Sequence, residues 1–386
     1  MDVIRIDKSA TIAFMLLTGL YLLAEFQILT PLTAPLRFSF IAMVLVLGAY
    51  LIARKPLKAI ELKLIILAVL FQVIYTIRAT SYSDGATYTS IAYQAVFLLL
   101  AYIVAMIKWE KSNIKILSFS SILLSVILLF VLVTKPELLN FNAAGAYAYL
   151  LLFFILLYYV GFKKRILSFI KMLIFSAAPL AVIALSDARS VLLSMLAGLF
   201  TWFMWKRITR SRIRFNLYFV AVLVFNYIFT TIYPRIDVLW SKYGYYNALM
   251  IQYTGKSILS GREDLWTLLL HLIQQKPFFG YGSGALPRHF LNTTLSAHNL
   301  YLQVALQVGL IGLATLLIFL YCIWRTFLRN NQDRRVALAA SFFISILVYQ
   351  LFEVTLTQNN FGITILQWFI IGLGLSFALN KRQEPS

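Results

Sequence analysis

The residues best suited to chemistry lie between positions 260 and 312. This segment holds all three histidines of the chain, an arginine at position 262, a glycine-rich stretch, and the pair His298 and Asn299 just before an apolar run. An imidazole group titrates near neutral pH and can act as a general base. A guanidinium group at a helix start can bind phosphate together with the free N–H groups of the first turn. The segment therefore predicts an anion contact at Arg262 and a proton acceptor at His298.

A helix is expected to position Arg262. Ser260 and Glu263 have the S-x-x-E spacing of a capping box, which predicts a helix that begins near Arg262. Polar and apolar residues then follow helical periodicity up to Pro277, which cannot continue the helix. This pattern predicts an amphipathic helix lying at the outer surface of a membrane.

The glycines and histidines also allow other interpretations. The sequence FFGYGSG at 278–284 resembles a phosphate cradle only weakly, because it follows a helix end rather than a strand, and a tight turn is favoured. His271, His289 and His298 are irregularly spaced and no H-E-x-x-H motif occurs, which argues against a histidine metal site. The chain also has no D-x-D motif, which disfavours a metal-dependent enzyme that uses nucleotide sugars. The sequence predicts neither a metal nor a cofactor.

Arg189 is a second candidate anion contact, far from this segment in sequence. It lies in a short connection between two apolar spans, where a charge is costly unless it is paired or binds an ion. A salt bridge with Asp187 is the structural alternative, although Asp187 could equally position the arginine for an anion. Glu25, near the outer end of the first apolar span, is a weaker candidate of the same kind.

The composition excludes a soluble globular protein. Of 386 residues, 61% are hydrophobic and only 12% are charged, against about 25% in an ordinary soluble domain. The apolar runs indicate one polytopic membrane domain over 1–386. The single cysteine, Cys322, lies in an apolar span, so neither a disulfide framework nor a cysteine zinc site can form.

Twelve apolar segments have the length that a bilayer requires. They are 10–29, 36–52, 60–77, 89–107, 116–133, 143–161, 167–185, 190–205, 215–232, 300–324, 336–352 and 361–379. The first is expected to be a retained helix rather than a removed signal peptide. Placing both termini in the cytoplasm puts most of the 34 Lys and Arg on the cytoplasmic side, as the positive-inside rule requires. The net charge of +20 then reflects membrane orientation rather than binding to nucleic acid, and 233–299 becomes a long extracytoplasmic loop.

Several short motifs together resemble the O-antigen ligase and polysaccharide polymerase superfamily. They are A-R-S-V-L-L at Arg189, G-R-x-x-L-W at Arg262, P-F-F-G-Y-G from Pro277, and A-H-N-x-Y-L-Q at His298, which is followed by G-L-I-G. The motif-bearing region covers about 180–325. The twelve-span layout with one large outer loop extends the likeness to the whole chain.

The resemblance implies an all-α, GT-C-like membrane glycosyltransferase whose site faces the periplasm or cell exterior. The implied donor is a glycan on undecaprenyl pyrophosphate, and the implied chemistry is metal-independent and inverting. By position, Arg189 and Arg262 look like the arginines that bind the pyrophosphate. His298 looks like the histidine that deprotonates the acceptor hydroxyl. Arg288 and Lys276 are further candidate anion contacts, and Asn299 is a further candidate substrate contact.

The identity of the acceptor distinguishes the two remaining enzyme classes, polymerase and ligase. A polymerase extends a lipid-linked repeat unit of O-antigen, capsule or exopolysaccharide, whereas a ligase joins the glycan to lipid A-core. The motif at His298 and the opening I-R-I-D-K favour a polymerase of the bacterial cytoplasmic membrane, which would work with a flippase and a chain-length regulator. A flippase or transporter is a more remote alternative, because neither midplane charges in broken helices nor a repeat between the two halves is evident in the sequence.

Overall fold

A computed structural model describes residues 30–54, 59–79, 82–160, 166–255, 257–259, 261–291, 296–357 and 360–380. Before residue 30 it describes only Ile12, Leu16, Gly19 and Leu20. The described residues form helices joined by turns and contain no β-strand. This confirms the expected all-α class.

The described residues form fourteen α-helices, with short 3-10 turns between some of them. In chain order they are α1 (Thr33–Arg54), α2 (Ala59–Ile77), α3 (Gly85–Met106), α4 (Lys111–Thr134), α5 (Phe141–Val160), α6 (Ile166–Leu185), α7 (Arg189–Ile208), α8 (Arg212–Ile232), α9 (Ile236–Leu239), α10 (Tyr243–Thr254), α11 (Glu263–Gln275), α12 (Leu300–Phe327), α13 (Arg334–Tyr349) and α14 (Phe361–Leu379).

Eleven of the twelve predicted spans coincide with helices, namely α1 to α8 and α12 to α14. Within the described ranges, nine helices are long and apolar enough to cross a membrane, which supports an integral membrane protein. Two others are shorter. The apolar part of α2 is Leu62–Ile77, and the 16 residues of α13 rise about 24 Å against a hydrocarbon core of about 30 Å. Apart from the four isolated positions, the predicted first span lies outside the described residues, and the total of twelve stays a prediction.

The predicted outer loop 233–299 is largely helical. It begins with the 3-10 turn Tyr233–Arg235, which continues α8, and it contains α9, α10 and α11. A second 3-10 turn, Pro287–His289, follows α11. The loop is therefore a built part of the protein rather than a flexible connection, as far as its described residues show.

Helix α11 confirms the predicted amphipathic helix and its start near Arg262, but its apolar face does not lie against lipid as expected. Its buried face consists of Leu265, Trp266, Leu269 and Ile273. This face packs in a cluster with residues of α12, so protein rather than lipid covers it. The helix begins with Arg262 as its N-cap, close to the predicted start, and this residue makes no side-chain cap bond; the Ser260–Glu263 capping box stays a prediction. Gly261 has a φ of +78°, which prevents the helix from starting at that residue; Ser260 itself lies outside the described residues.

Helix α12 is broken at Gly309. The φ of 70° and ψ of −173° at this residue lie in a region that is essentially restricted to glycine. A break of this kind removes intrahelical hydrogen bonds and leaves polar backbone groups that need other partners inside a membrane protein.

The glycine-rich stretch supplies these partners. The backbone N–H of Tyr281 donates to the Leu306 carbonyl (2.8 Å), and that of Gly282 donates to the Gln307 carbonyl (2.9 Å). In the other direction, the N–H of Leu310 donates to the Pro277 carbonyl (2.7 Å). The expected turn at 278–284 is confirmed, and its function is to dock the end of α11 against the break in α12.

Helices α7 and α13 pack against each other in opposite directions. The Ser345 hydroxyl donates to the Ser194 carbonyl (2.6 Å), while Gly198, one turn further along α7, faces Ser341, one turn earlier in α13. The start of α7 therefore lies at the same end of this pair as the end of α13. This arrangement brings Arg189 to the side of the molecule where α13 ends and the next connection begins.

We expect Gly309→Ala to destabilise the fold by on the order of 3 kcal/mol, because the required backbone conformation disfavours a side chain and an added Cβ would overlap the Phe278 carbonyl. The matched control is Gly244→Ala in α10, where an added Cβ meets no atom within 4 Å. The check is the midpoint of thermal unfolding of each purified variant in detergent. Equal midpoints for the two variants would show that the break does not require glycine.

Candidate active site

A carboxylate joins the two residues that the sequence singled out in segment 260–312. Glu353 Oε1 lies 3.6 Å from a terminal guanidinium nitrogen of Arg262, and Glu353 Oε2 lies 3.3 Å from His298 Nδ1. The side chains of Arg262, Glu353 and His298 are 17%, 14% and 25% exposed, so the cluster is mostly enclosed yet open to solvent. The predicted proximity of Arg262 and His298 therefore takes the form of a shared acidic partner.

The start of α12 fixes His298. The Asn299 side chain accepts the N–H of Leu302 (3.0 Å) as the N-cap of α12 and donates to the Thr230 hydroxyl (3.1 Å). His298 itself has a φ of +45°, a left-handed conformation that non-glycine residues adopt mainly where the surroundings impose it. The indole N–H of Trp266 donates to the carbonyl of Ala297 (3.0 Å), which ties α11 to this turn.

Arg262 lies at the start of α11, as predicted. Its guanidinium carbon is 6.0 Å from the centre of the Phe352 ring, next to its ionic partner Glu353. Glu263 and Asp264 occupy the first turn of α11, so they offset part of the positive field at this helix end. The capacity to bind an anion therefore rests on the guanidinium group more than on the helix end.

Arg189 reaches the same part of the molecule through the outer loop. Its guanidinium donates to the carbonyl of Ser257 (2.9 Å), which is five residues before Arg262, at most roughly 18 Å of extended chain. Tyr349, at the end of α13, is close enough to Glu353 and Arg262 to interact with both electrostatically. The antiparallel packing of α7 and α13 therefore places Arg189 on the same side of the molecule as the cluster of Arg262, Glu353 and His298. Asp187, two residues earlier, has a φ of +47° in the connection between α6 and α7.

The other predicted anion contacts have different partners. Arg288 lies 3.8 Å from Asp84, and both side chains are more than half exposed. Lys276 Nζ lies 4.6 Å from the centre of the Tyr281 ring. Among the described contacts, neither residue touches the Glu353 cluster, and their role as anion contacts stays a prediction. Glu25 lies outside the described residues.

The three histidines occupy three different environments. His271 lies on the exposed face of α11, while the ring of His289 stacks on Tyr82 at 5.0 Å. Burial lowers the pKa of His289, and neighbouring Arg288 lowers it further. Backbone and side-chain hydrogen bonds from Thr87 hold the pKa of Asp84 below its usual value. Within the part of the chain that the structure describes, no three metal-binding side chains come together.

Glu353 was missed by the sequence analysis, and Asn299 was assigned a different role there. Glu353 follows the predicted span 336–352 and is one of only 14 acidic residues in the chain, so an acid at an outer span end was the available signal. Asn299 was a candidate substrate contact, but its side chain is fully buried and caps α12. It positions His298 instead.

Comparison with known proteins identifies the central segment. Residues 174–317 match the family described as O-antigen ligase. Over this segment the chain is similar to the O-antigen ligase domain. The matched segment is less than half of the chain; it includes Arg189, Arg262 and His298 but ends before Glu353. No curated protein matches the chain.

This domain supports the O-antigen ligase and polymerase superfamily that the motifs indicated. The family implies a bacterial membrane enzyme of the glycosyltransferase kind that acts on lipid-linked glycans. A guanidinium group and an imidazole group, both from the matched segment and both close to one carboxylate, have the chemistry for binding a charged leaving group and accepting a proton.

We expect Asn299→Ala to lower the free energy of unfolding by about 1 kcal/mol, because α12 loses its cap and Thr230 loses a buried partner. Asn299→Asp, which keeps the acceptor for the N–H of Leu302, should retain more of the stability. Thermal unfolding in detergent measures both variants. If Asn299→Ala keeps the wild-type stability but loses glycan transfer, Asn299 contacts the substrate rather than stabilising α12.

Proposed function

We propose that this protein transfers a glycan from undecaprenyl pyrophosphate to an acceptor sugar hydroxyl, as a metal-independent inverting glycosyltransferase. The observation that supports this most directly is that Arg262 and His298, both in the segment that matches the O-antigen ligase family, approach one carboxylate at 3.6 and 3.3 Å. A cation for the leaving pyrophosphate and a base for the acceptor are the two groups that such a transfer needs.

In the proposed reaction, His298 Nε2 accepts the proton of the acceptor hydroxyl. The oxygen attacks the anomeric carbon from the side opposite the pyrophosphate, and the bond between that carbon and the pyrophosphate oxygen breaks. Undecaprenyl pyrophosphate leaves with the electron pair, and Arg262 and Arg189 stabilise the negative charge that develops on it. The configuration at the anomeric carbon is inverted, because one direct displacement occurs.

The two arginines take the role that a divalent cation has in many glycosyl transfers. Guanidinium groups bind phosphate oxygens in a bidentate manner and stay protonated throughout. Asp187 and the Ser257 carbonyl are the groups near Arg189 that would set the orientation of its side chain. The lack of a D-x-D motif agrees with a reaction that does not use a nucleotide sugar.

The proposed location is the bacterial cytoplasmic membrane, with both termini in the cytoplasm and the site facing the periplasm or cell exterior. The basic residues support this orientation. Lys206 and Arg207 lie at the end of α7 and Arg334 and Arg335 at the start of α13, at the opposite end of this helix pair from Arg189. The positive-inside rule assigns that basic end to the cytoplasm.

Among acceptors, we propose a lipid-linked repeat unit, which makes the protein a polymerase of O-antigen, capsule or exopolysaccharide. This assignment rests on the sequence motif at His298 and on the opening residues. A ligase with lipid A-core as its acceptor is the alternative and would use the same groups. A flippase and a chain-length regulator are the proposed partners in the membrane.

His298→Ala and Arg262→Ala should each reduce glycan transfer at least about 100-fold, since one removes the base and the other a contact to the leaving group. Arg189→Ala should act in the same direction. The assay is transfer by purified full-length protein supplied with a lipid-linked glycan donor.

Two exposed residues of the outer loop serve as matched controls. His271→Ala removes a histidine from the solvent face of α11, and Lys242→Ala removes a cation next to α10; both variants should keep transfer near the wild-type rate. Near-normal transfer by both His298→Ala and Arg262→Ala, with the protein present in the membrane, would overturn the proposed function.

The glycans made after deletion of the gene distinguish a polymerase from a ligase. A polymerase predicts that glycans carry a single repeat unit, because the first transfer to another repeat unit cannot occur. Electrophoresis of the surface glycans and mass spectrometry of the lipid-linked pool measure this. Full-length chains that accumulate on the lipid carrier would contradict the polymerase and identify a ligase.

A further inference from the structure

We propose that Glu353 is a positioning residue that couples donor binding to deprotonation of the acceptor. One of its oxygens holds His298 through Nδ1, and the other occupies Arg262 until the donor pyrophosphate takes its place. This inference rests on the proposed function, because it assigns Glu353 a role in the same transfer reaction. It adds a residue from outside the segment that matches the O-antigen ligase family.

The two contacts of Glu353 use different oxygens and are both long. The Arg262 contact of 3.6 Å exceeds hydrogen-bond length, and the His298 contact of 3.3 Å is longer than the usual 2.7–2.9 Å of a charge-assisted bond. A carboxylate placed between two partners in this way can tighten one contact when the other is withdrawn. When a pyrophosphate binds the Arg262 guanidinium, it withdraws Arg262 from Glu353 in this way.

The polypeptide around Glu353 is fixed, so the carboxylate stays within reach of both partners. The Gln350 side chain, which is fully buried, accepts the N–H groups of Thr355 (3.1 Å) and Leu356 (3.0 Å) and thereby closes the turn that contains Glu353. The carbonyl of Gln350 also accepts the N–H of Leu300 (2.9 Å), two residues after His298. The turn and the start of α12 are therefore joined by backbone as well as side-chain bonds.

The chemical consequence concerns both nitrogens of His298. A carboxylate at Nδ1 favours the tautomer with the proton on Nδ1, which leaves Nε2 as the acceptor for the hydroxyl proton. After that transfer the imidazolium has its Nδ1–H directed at the Glu353 carboxylate, so the new positive charge has a counter-ion. The charged or titratable groups around Glu353 are Arg262 from α11, His298 before α12 and Tyr349 from α13.

Replacement of Glu353 should change inhibitor binding in opposite directions, depending on whether Glu353 is a positioning residue or only a structural ion-pair partner. Glu353→Gln releases Arg262 from its competitor, so undecaprenyl pyrophosphate should inhibit this variant about two- to fivefold more tightly than it inhibits the wild type. At the same time kcat should fall at least about tenfold, because His298 loses its orienting carboxylate. A damaged structure would weaken both the binding of the inhibitor and turnover.

The experiment measures kcat and the inhibition constant of undecaprenyl pyrophosphate on purified full-length variants. Glu137→Gln, an exposed acid in another outer connection, is the matched control and should resemble the wild type. Double variants assign each effect to its partner. In an Arg262→Gln background Glu353→Gln should no longer change inhibitor binding, and in a His298→Ala background it should cause no further loss of turnover.

Glu353→Asp tests the geometry in a chain that keeps the charge. Its shorter side chain withdraws from a His298 contact that is already long, so kcat should again fall at least about tenfold. Wild-type kcat in Glu353→Asp, or weaker inhibitor binding in Glu353→Gln, would overturn the inference while leaving the proposed function in place. If His298→Ala and Arg262→Ala retain transfer, the proposed function itself fails.

Discussion

The break in α12 at Gly309 is the constraint on which the candidate site depends. A helix inside a membrane protein cannot leave backbone N–H and C=O groups unpaired, because each costs about 1–3 kcal/mol when buried without a partner. The stretch after α11 supplies the partners, through bonds such as that from Leu310 to Pro277 (2.7 Å). By satisfying the break, this stretch holds α11 against α12, and α11 carries Arg262 toward His298.

The candidate site is assembled from four helix ends that lie at one end of the helix bundle. Arg189 starts α7, Arg262 starts α11, and His298 precedes α12, while Glu353 follows α13. Each of these candidate groups is therefore positioned by a helix end, and the packing of that helix is decided by the apolar contacts of the bundle. Apolar packing thus supplies the rigidity, while the charged side chains of Arg262, His298 and Glu353 remain partly exposed to solvent.

The all-α class, the positions of eleven helices and the amphipathic helix α11 were predictable, because apolar length and helical periodicity are local properties of the sequence. The candidate residues Arg189, Arg262 and His298 were also predictable, as polar residues of chemical value at the ends of apolar spans. The start of α11 near Arg262 was predictable from the S-x-x-E pattern, whereas the left-handed backbone of Gly261 just before it was not. The roles of Arg288 and Lys276 depended on partners, Asp84 and Tyr281, that no local pattern indicates.

The membrane character, the helices and the kinds of side chain available for phosphate binding and proton transfer follow from local patterns in the sequence. Which of these side chains meet depends on the packing of the helices. Glu353 is 55 residues from His298, and it contacts both His298 and Arg262 because α13 returns to the same side as the start of α12. Contacts over such separations depend on how helices pack, and packing is a property of the whole chain. The contacts of Glu353 therefore become evident only in the folded protein, although the glutamate itself is visible in the sequence after an apolar span.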